Sequence, residues 1–185
     1  MKREPDLTPC NPALLRLQRA KSVLLLQGPV GAFFDRLTTW LHQQSAQVQR
    51  VAFQGGDVLD CQNLVPIRYK QTLAAWPAFF EQLVQTHHID CVVLFGQSRA
   101  YHQLAIQACK NLGLATVVLE EGYFRPGFVT MELNGVNGFS DTLSQYVWHP
   151  EIQAHISNNI ATHTATHSAT PITPDVSPWH FQKMA

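Results

Sequence analysis

The chain has 185 residues, 45% of them hydrophobic and 14% charged, with 13 basic side chains against 13 acidic ones. That length fits one globular domain with an appendage, and a folded region of about 150 residues buries roughly 70% of its unfolded surface, enough for a core without disulfide staples. Zero formal charge argues against nucleic-acid binding by bulk electrostatics, which needs a basic face, so no nucleic-acid partner is expected.

The first residues, MKREPDLTPC, hold charge and proline but no apolar run of signal-peptide length, and no later stretch reaches the roughly 18 consecutive apolar residues of a membrane span. A cytoplasmic protein is expected, with contact at a membrane surface left open. Cys10, Cys61, Cys91 and Cys109 are scattered, and Cys91 and Cys109 fall inside apolar periodic segments, where a thiol behaves as a small hydrophobe. A reducing compartment fits that pattern.

After a helical lead-in around Ala13 to Lys21, the run from Ser22 to Gln27 reads as a strand buried on both faces, stopped at Gly28-Pro29. Phe33, Phe34, Leu37, Trp40 and Leu41 then recur at the spacing of one helix face. A second strand, Val48 to Phe53, ends in the glycine turn Gln54-Gly55-Gly56-Asp57. The stretch from Val58 to Gln71 is left open, with a short strand possible at Pro66 to Tyr69. Trp76-Pro77 starts a helix that runs on through Phe79, Phe80, Leu83 and Val84 to about His87, since proline suits the first helical position. Ile89 to Phe95 is a third strand closed by Gly96; Tyr101, Leu104, Ala105, Ala108, Cys109 and Leu112 mark the next helix; Ala115 to Leu119 is a fourth strand. Strands alternating with helices imply right-handed crossovers and a parallel sheet, an α/β, Rossmann-like fold. From Asn158 the composition turns to threonine, alanine, histidine and proline without periodicity, which reads as a linker. The organisation expected is a lead-in over 1–21, a Rossmann-like domain over 22–157, and over 158–185 a linker with the start of a second domain, to which Trp179 to Ala185 would belong.

In an open parallel sheet, ligands bind beyond the carboxyl ends of the strands, so the residues just after each strand carry the information. Gly28, Pro29 and Gly31 follow the first, Gly55, Gly56 and Asp57 the second, Gly96 and Arg99 the third, and Glu120 and Glu121 the fourth. The Gln27 to Gly31 turn feeds a helix whose first N–H groups could hold a phosphate or carboxylate; it is not a GxGxxG fingerprint, and a tight turn packing strand on helix is the plainer reading. Adjacent in an extended strand, Glu120 and Glu121 point to opposite faces, so at most one addresses the cleft, as acceptor for a sugar hydroxyl or a proton, or as partner of a basic group. Arg99 and His102, at neighbouring positions of a first helical turn, could together receive an anion, or simply be solvated. His163 and His167 have helical metal-site spacing but lie in the linker without a further ligand, and no cysteine pair has zinc spacing, so no metal is expected.

Taken together, QGPVGAFFDRL (Gln27 to Leu37), FQGGD (Phe53 to Asp57), AAWPAFF (Ala74 to Phe80), LFGQSRAYHQLAI (Leu94 to Ile106) and EEGYFRPGFVTMELNGVNGFS (Glu120 to Ser140) resemble the capsule polysaccharide biosynthesis and export proteins of Gram-negative bacteria, the KpsS/LipB type. The resemblance implies the N-terminal half of a cytoplasmic, membrane-associated, retaining β-Kdo glycosyltransferase. Such an enzyme takes 3-deoxy-manno-octulosonic acid (Kdo) from CMP-Kdo and starts the Kdo linker on a lysophosphatidylglycerol acceptor. It also implies half of a GT-B architecture, incompetent without its C-terminal half. The partners expected are the nucleotide sugar, the lipid acceptor, the missing half or companion capsule proteins, and the inner membrane at its periphery; CMP-Kdo is a donor substrate and no cofactor is expected.

On that reading Glu120 and Glu121 are the catalytic carboxylate candidates, by analogy with retaining glycosidases. Gly28, Pro29, Gly31, Gly55, Gly56, Asp57, Gly96, Arg99, His102, Tyr123, Arg125 and Asn137 line the substrate side. The family pattern has an Asp after the third-strand glycine and a proline before the Tyr-His pair, where this chain has Gln97-Ser98 and Ala100. A different class of function is a non-catalytic assembly or export module that binds lipid-linked glycan or a partner on the same surface. A third is a generic cofactor-binding Rossmann domain.

Overall fold

In a computed structural model of the protein, residues 11–122 and 128–140 are described, and all of them lie in one compact unit, Met1–Tyr146. The expected linker over 158–185 falls outside the described residues. Helix α1 (Pro12–Arg19) opens with Asn11 as its cap, the side-chain oxygen accepting from the Ala13 and Leu14 N–H groups, and with Pro12 at the first helical position. The elements that follow are β1 (Ser22–Leu25), α2 (Phe33–Gln43), β2 (Gln47–Ala52), α3 (Gly55–Leu59), β3 (Ile67–Arg68), α4 (Trp76–Thr86), β4 (Cys91–Phe95), α5 (Ala100–Leu112), β5 (Ala115–Glu121) and β6 (Val129–Leu133).

The strands form one sheet in the order β3-β2-β1-β4-β5-β6. All neighbours run parallel except β6, which pairs antiparallel with β5, Glu120 opposite Thr130 and Glu121 opposite Val129. This is the strand order of the Rossmann fold, and it reverses direction between β1 and β4, which opens a crevice at their carboxyl ends.

Strand alternation divides the core into the two sides of the sheet. Leu24, Leu26, Val92, Leu94 and Val118 pack with α4 and α5 residues such as Trp76, Phe80, Ala105 and Cys109. Val23, Leu25, Cys91, Val93, Val117 and Leu119 pack on the other side with Ala13, Leu17, Phe34 and Leu41 of α1 and α2. Each fully buried Leu, Val or Phe contributes about 1.5–3 kcal/mol. The thiols of Cys91 and Cys109 are free and buried, and desolvation pushes them up to about 12 and about 11.

Three departures from the sequence reading bear on the site. The Gly55-Gly56 segment is the first turn of a short helix rather than a turn alone; β5 runs on through Glu121, so Glu120 and Glu121 stand within the strand and not after it; and β6, which the apolar periodicity does not announce, closes the sheet. The strand left open at Pro66 to Tyr69 is present as the two-residue β3. Beside β2 and β3, Phe53, Tyr69, Trp76, Phe79, Phe80 and Tyr101 form an aromatic cluster, with Phe53 stacked on Tyr101 at 4.5 Å between centroids. The Trp76 indole N–H donates to the Tyr101 carbonyl at 2.9 Å, so the start of α5 is tied to the end of β2 and the start of α4.

Candidate functional site

The residues after β1, β2, β4 and β5 converge on the crevice side, but they are held there in different ways. After β1, Gly28 is packed so closely on α2 that a Cβ there would lie 2.7 Å from the Phe34 ring. Its need for glycine is thus met by packing of strand on helix. Gly31 adopts a φ of +96° that allows the chain to enter α2, Pro29 is half-buried, and Ala32 caps α2 without a side-chain hydrogen bond.

After β2, Asp57 is buried and fully engaged. Its carboxylate accepts from the backbone N–H groups of Phe53 and Gln54 at 2.9 and 3.1 Å, completing a capping box for α3, and from the Gln27 side-chain amide at 3.1 Å. Asp57 thereby locks the end of β2 to the end of β1. Gly55 and Gly56, at the exposed start of α3, have no atoms within 4 Å of where a Cβ would stand.

After β4 the chain makes a hub at Gly96. Its φ is +78°, its N–H donates to the Leu119 carbonyl of β5 at 2.8 Å, and its carbonyl accepts from His102 Nδ1 at 2.5 Å. Because a carbonyl can only accept, Nδ1 carries the proton and Nε2 carries the lone pair. A Cβ on Gly96 would lie 3.6 Å from Arg99 Nε and 4.0 Å from Glu120 Oε1, so guanidinium and carboxylate both border this glycine. Arg99 is the N-cap of α5 and gives no side-chain cap, leaving the first N–H groups of that helix without a side-chain acceptor.

The next residue along the hub, Gln97, is buried and holds one peptide unit from both sides: its amide donates to the Val136 carbonyl at 3.0 Å and accepts from the Val136 N–H at 3.2 Å. Spacing does not single out Gln97 as a site residue; its signal in the sequence is that it stands where the family pattern has an acid. An Asp there has no N–H to give, so the amide is the side chain that fits this two-way bond.

At the end of β5, Val118 belongs to the α4/α5 side of the core and Leu119 to the other. By alternation Glu120 takes the α5 side, beside Gly96 and Arg99, and Glu121 the opposite one. Glu120 is half-buried and Glu121 exposed. Asn137 is exposed on a 3-10 turn, Asn137–Phe139, one residue past the Val136 that Gln97 grips. Tyr123 and Arg125 lie outside the described residues.

His102 departs from the anion-receiving role expected of it with Arg99. The ring is wholly buried, and desolvation, reinforced by the Arg99 charge, lowers its pKa from 6.5 to about 4 against the opposing pull of the Gly96 bond and Asp57. The imidazole is neutral near pH 7, so attraction for an anion falls to Arg99 and the α5 N–H groups. The arrangement therefore offers a cation with helix N–H groups, a carboxylate, and a neutral imidazole around one glycine. That set can bind an anionic, hydroxylated ligand. Among the described residues no group of three or more His, Cys, Asp or Glu side chains could hold a metal ion, and no helix is long and apolar enough to cross a membrane.

Strand order and crevice define a Rossmann-like α/β domain, with the glycine hub at the sheet's switch point. A family model described as capsule polysaccharide biosynthesis protein matches residues 90–171, which begin at the lead-in to β4. The chain is 38% identical over 126 residues to the capsule polysaccharide modification protein LipB of Neisseria meningitidis serogroup A, covering 67% of this chain and 30% of that protein. It is 37% identical over 128 residues to the capsule polysaccharide export protein KpsS of Escherichia coli, covering 69% of this chain and 33% of that one. Over these residues the chain is similar to capsule polysaccharide biosynthesis proteins, and the aligned part spans about a third of the length of these curated relatives. Among solved structures, a UDP-glucose 4-epimerase from Thermotoga maritima with UDP-glucose matches at 13% identity and a TM-score of 0.38, covering 50% of this chain and 35% of that one.

Proposed function

We propose that this chain acts in capsule polysaccharide biosynthesis as one half of the cleft of a retaining glycosyltransferase, taking Kdo from CMP-Kdo and delivering it to a lysophosphatidylglycerol acceptor. The observation that carries the reading is the Gly96 hub, where Arg99, the α5 N-terminus and Glu120 meet at the carboxyl ends of β4 and β5. The relatives named for capsule modification and export support the pathway. Donor and acceptor are both anionic, which suits a guanidinium and free helix N–H groups. Of the two carboxylates, Glu120 is the one beside these groups, and it would serve the anomeric centre or orient Arg99; Glu121 faces away. The other half of the cleft, a GT-B partner for this domain, would come from further sequence, a companion capsule protein or a second copy, and contact with the inner membrane would follow from the lipid acceptor.

The test is transfer of Kdo from CMP-Kdo to lysophosphatidylglycerol, followed by mass spectrometry of the glycolipid, with this chain supplied alone and with companion capsule proteins. Transfer should need the companions and should fall by roughly 100-fold in Glu120→Gln while Glu121→Gln keeps most of it. Full transfer by Glu120→Gln would remove that carboxylate from the mechanism. Binding of the lipid acceptor without any consumption of CMP-Kdo would instead favour a non-catalytic assembly or export module.

A further inference from the structure

His102 combines features that a structural histidine does not need. Its ring is fully buried on the first turn of α5, its Nδ1–H is used on the Gly96 carbonyl, and its Nε2, also buried, has no hydrogen-bond partner. The Gly96 bond fixes the tautomer, so the orphaned atom is an acceptor, not a donor. Leaving a buried acceptor unpaired costs about 1–3 kcal/mol, which a fold avoids unless something else fills the bond. The Gly96 bond gives Nδ1 a structural use but none to Nε2.

The location says what fills it. Its Nδ1–H is bonded to the carbonyl of Gly96, the first residue beyond β4, so the ring stands beside the place where the β1 and β4 ends part and this fold takes ligands. Around Gly96, Arg99 is the group for a ligand's negative charge and Glu120 borders the same glycine. What an imidazole lone pair adds to that set is recognition of an O–H.

We infer that His102 is a ligand-contacting residue whose Nε2 accepts a hydrogen bond from a sugar hydroxyl of the molecule bound at the Gly96 hub, with Gly96 holding the tautomer that makes this possible. The inference rests on the sugar-transfer reading of the site, and it assigns His102 to the sugar's hydroxyl groups rather than to its acidic group. Under the transfer reading that hydroxyl belongs either to the ribose of the nucleotide or to the octulosonic acid.

The experiment is nitrogen NMR of the full chain labelled with 15N-histidine, titrated at pH 7 separately with CMP and with free Kdo. His102 is identified by its exchange-protected Nδ1–H and by the loss of its signals in His102→Phe. Before ligand, Nε2 should show the shift of an unprotonated, unbonded nitrogen. One of the two probes should then move it upfield as the lone pair gains a hydrogen bond, and the probe that does so identifies the source of the hydroxyl. That probe's affinity should drop about tenfold in His102→Phe, the scale of one buried hydrogen bond. Binding of either probe, seen at other resonances, with Nε2 unmoved by both would overturn the role of His102 and leave the proposed function standing. An Nε2 already protonated at pH 7 would overturn it as well. Failure of both probes to bind would overturn the inference together with the reading it rests on.

Discussion

The turn after β1 and the turn after β4 flank the same crevice and look alike in sequence, each a strand stopped by glycine, yet they use that residue for opposite purposes. Gly28 is small because the Phe34 ring occupies the space a side chain would need. Gly96 has ordinary room for a Cβ but takes a φ of +78°, and its peptide groups are spent on Leu119 and His102. One turn is closed by packing, and the other is an organising point for a cation, a carboxylate and an imidazole. A glycine after a strand therefore says that the backbone must pass close or turn sharply; only its neighbours say which.

The largest test of this contrast is acid. His102 has a pKa near 4 when folded against 6.5 when free, so between those values the unfolded chain binds a proton that the folded chain refuses. Stability contributed by the neutral ring is complete above about pH 6.5, falls as the pH drops toward 4, and changes no further below; the loss amounts to roughly 3 kcal/mol. Urea midpoints measured from pH 7 to pH 4 should follow this slope in the parent chain and lose that component in His102→Phe. Equal slopes would place the ring in a solvated setting.

Next in size is Gly28→Ala, which drives a methyl into the Phe34 ring and should cost about 2 kcal/mol as overpacking. Phe34 is fully buried under the Arg50 guanidinium, 5.6 Å from its centroid, and has little freedom to move away. Thermal unfolding should show a clear fall for this variant. Smallest is Gly96→Ala, where only the left-handed backbone is penalised, at about 1 kcal/mol. A Gly96→Ala chain less stable than Gly28→Ala would reverse the comparison.

The elements that carry apolar periodicity, α2, α4, α5 and the four long parallel strands, were legible because each buries a repeating face or a continuous run. β3 was legible only as an open possibility at Pro66 to Tyr69, because two residues carry little pattern, and β6 was not legible, being an edge strand whose residues are only partly buried. α3 hid behind its glycines, since its start is set by the Asp57 capping box and not by an apolar stripe. In the site, spacing placed Gly96, Arg99 and His102 beyond the third strand read from the sequence, where β4 ends, and put Glu120 just past a strand that in fact runs on through Glu121. It could not say that Asp57 is consumed by the backbone N–H groups of Phe53 and Gln54, because that run reads as a glycine turn and not as a helix cap, nor that His102 is neutral, because that depends on how deeply the fold buries the ring. The buried pair of Arg50 and Asp35, 3.2 Å apart, is equally silent in sequence, because it depends on the segment after α3, whose Asp60 carbonyl accepts from Arg50 and whose Gln62 N–H donates to Asp35.

Gln97 adds a constraint on how this surface can diversify. Because its side chain imitates a neighbouring peptide and pairs with both polar groups of Val136, it splices the β4–α5 connection to the segment beyond β6. Residues 96–102 and 135–137 are therefore one inheritable cassette: a graft that exchanges the first without the second would carry over the chemistry around Gly96 and strip away its brace.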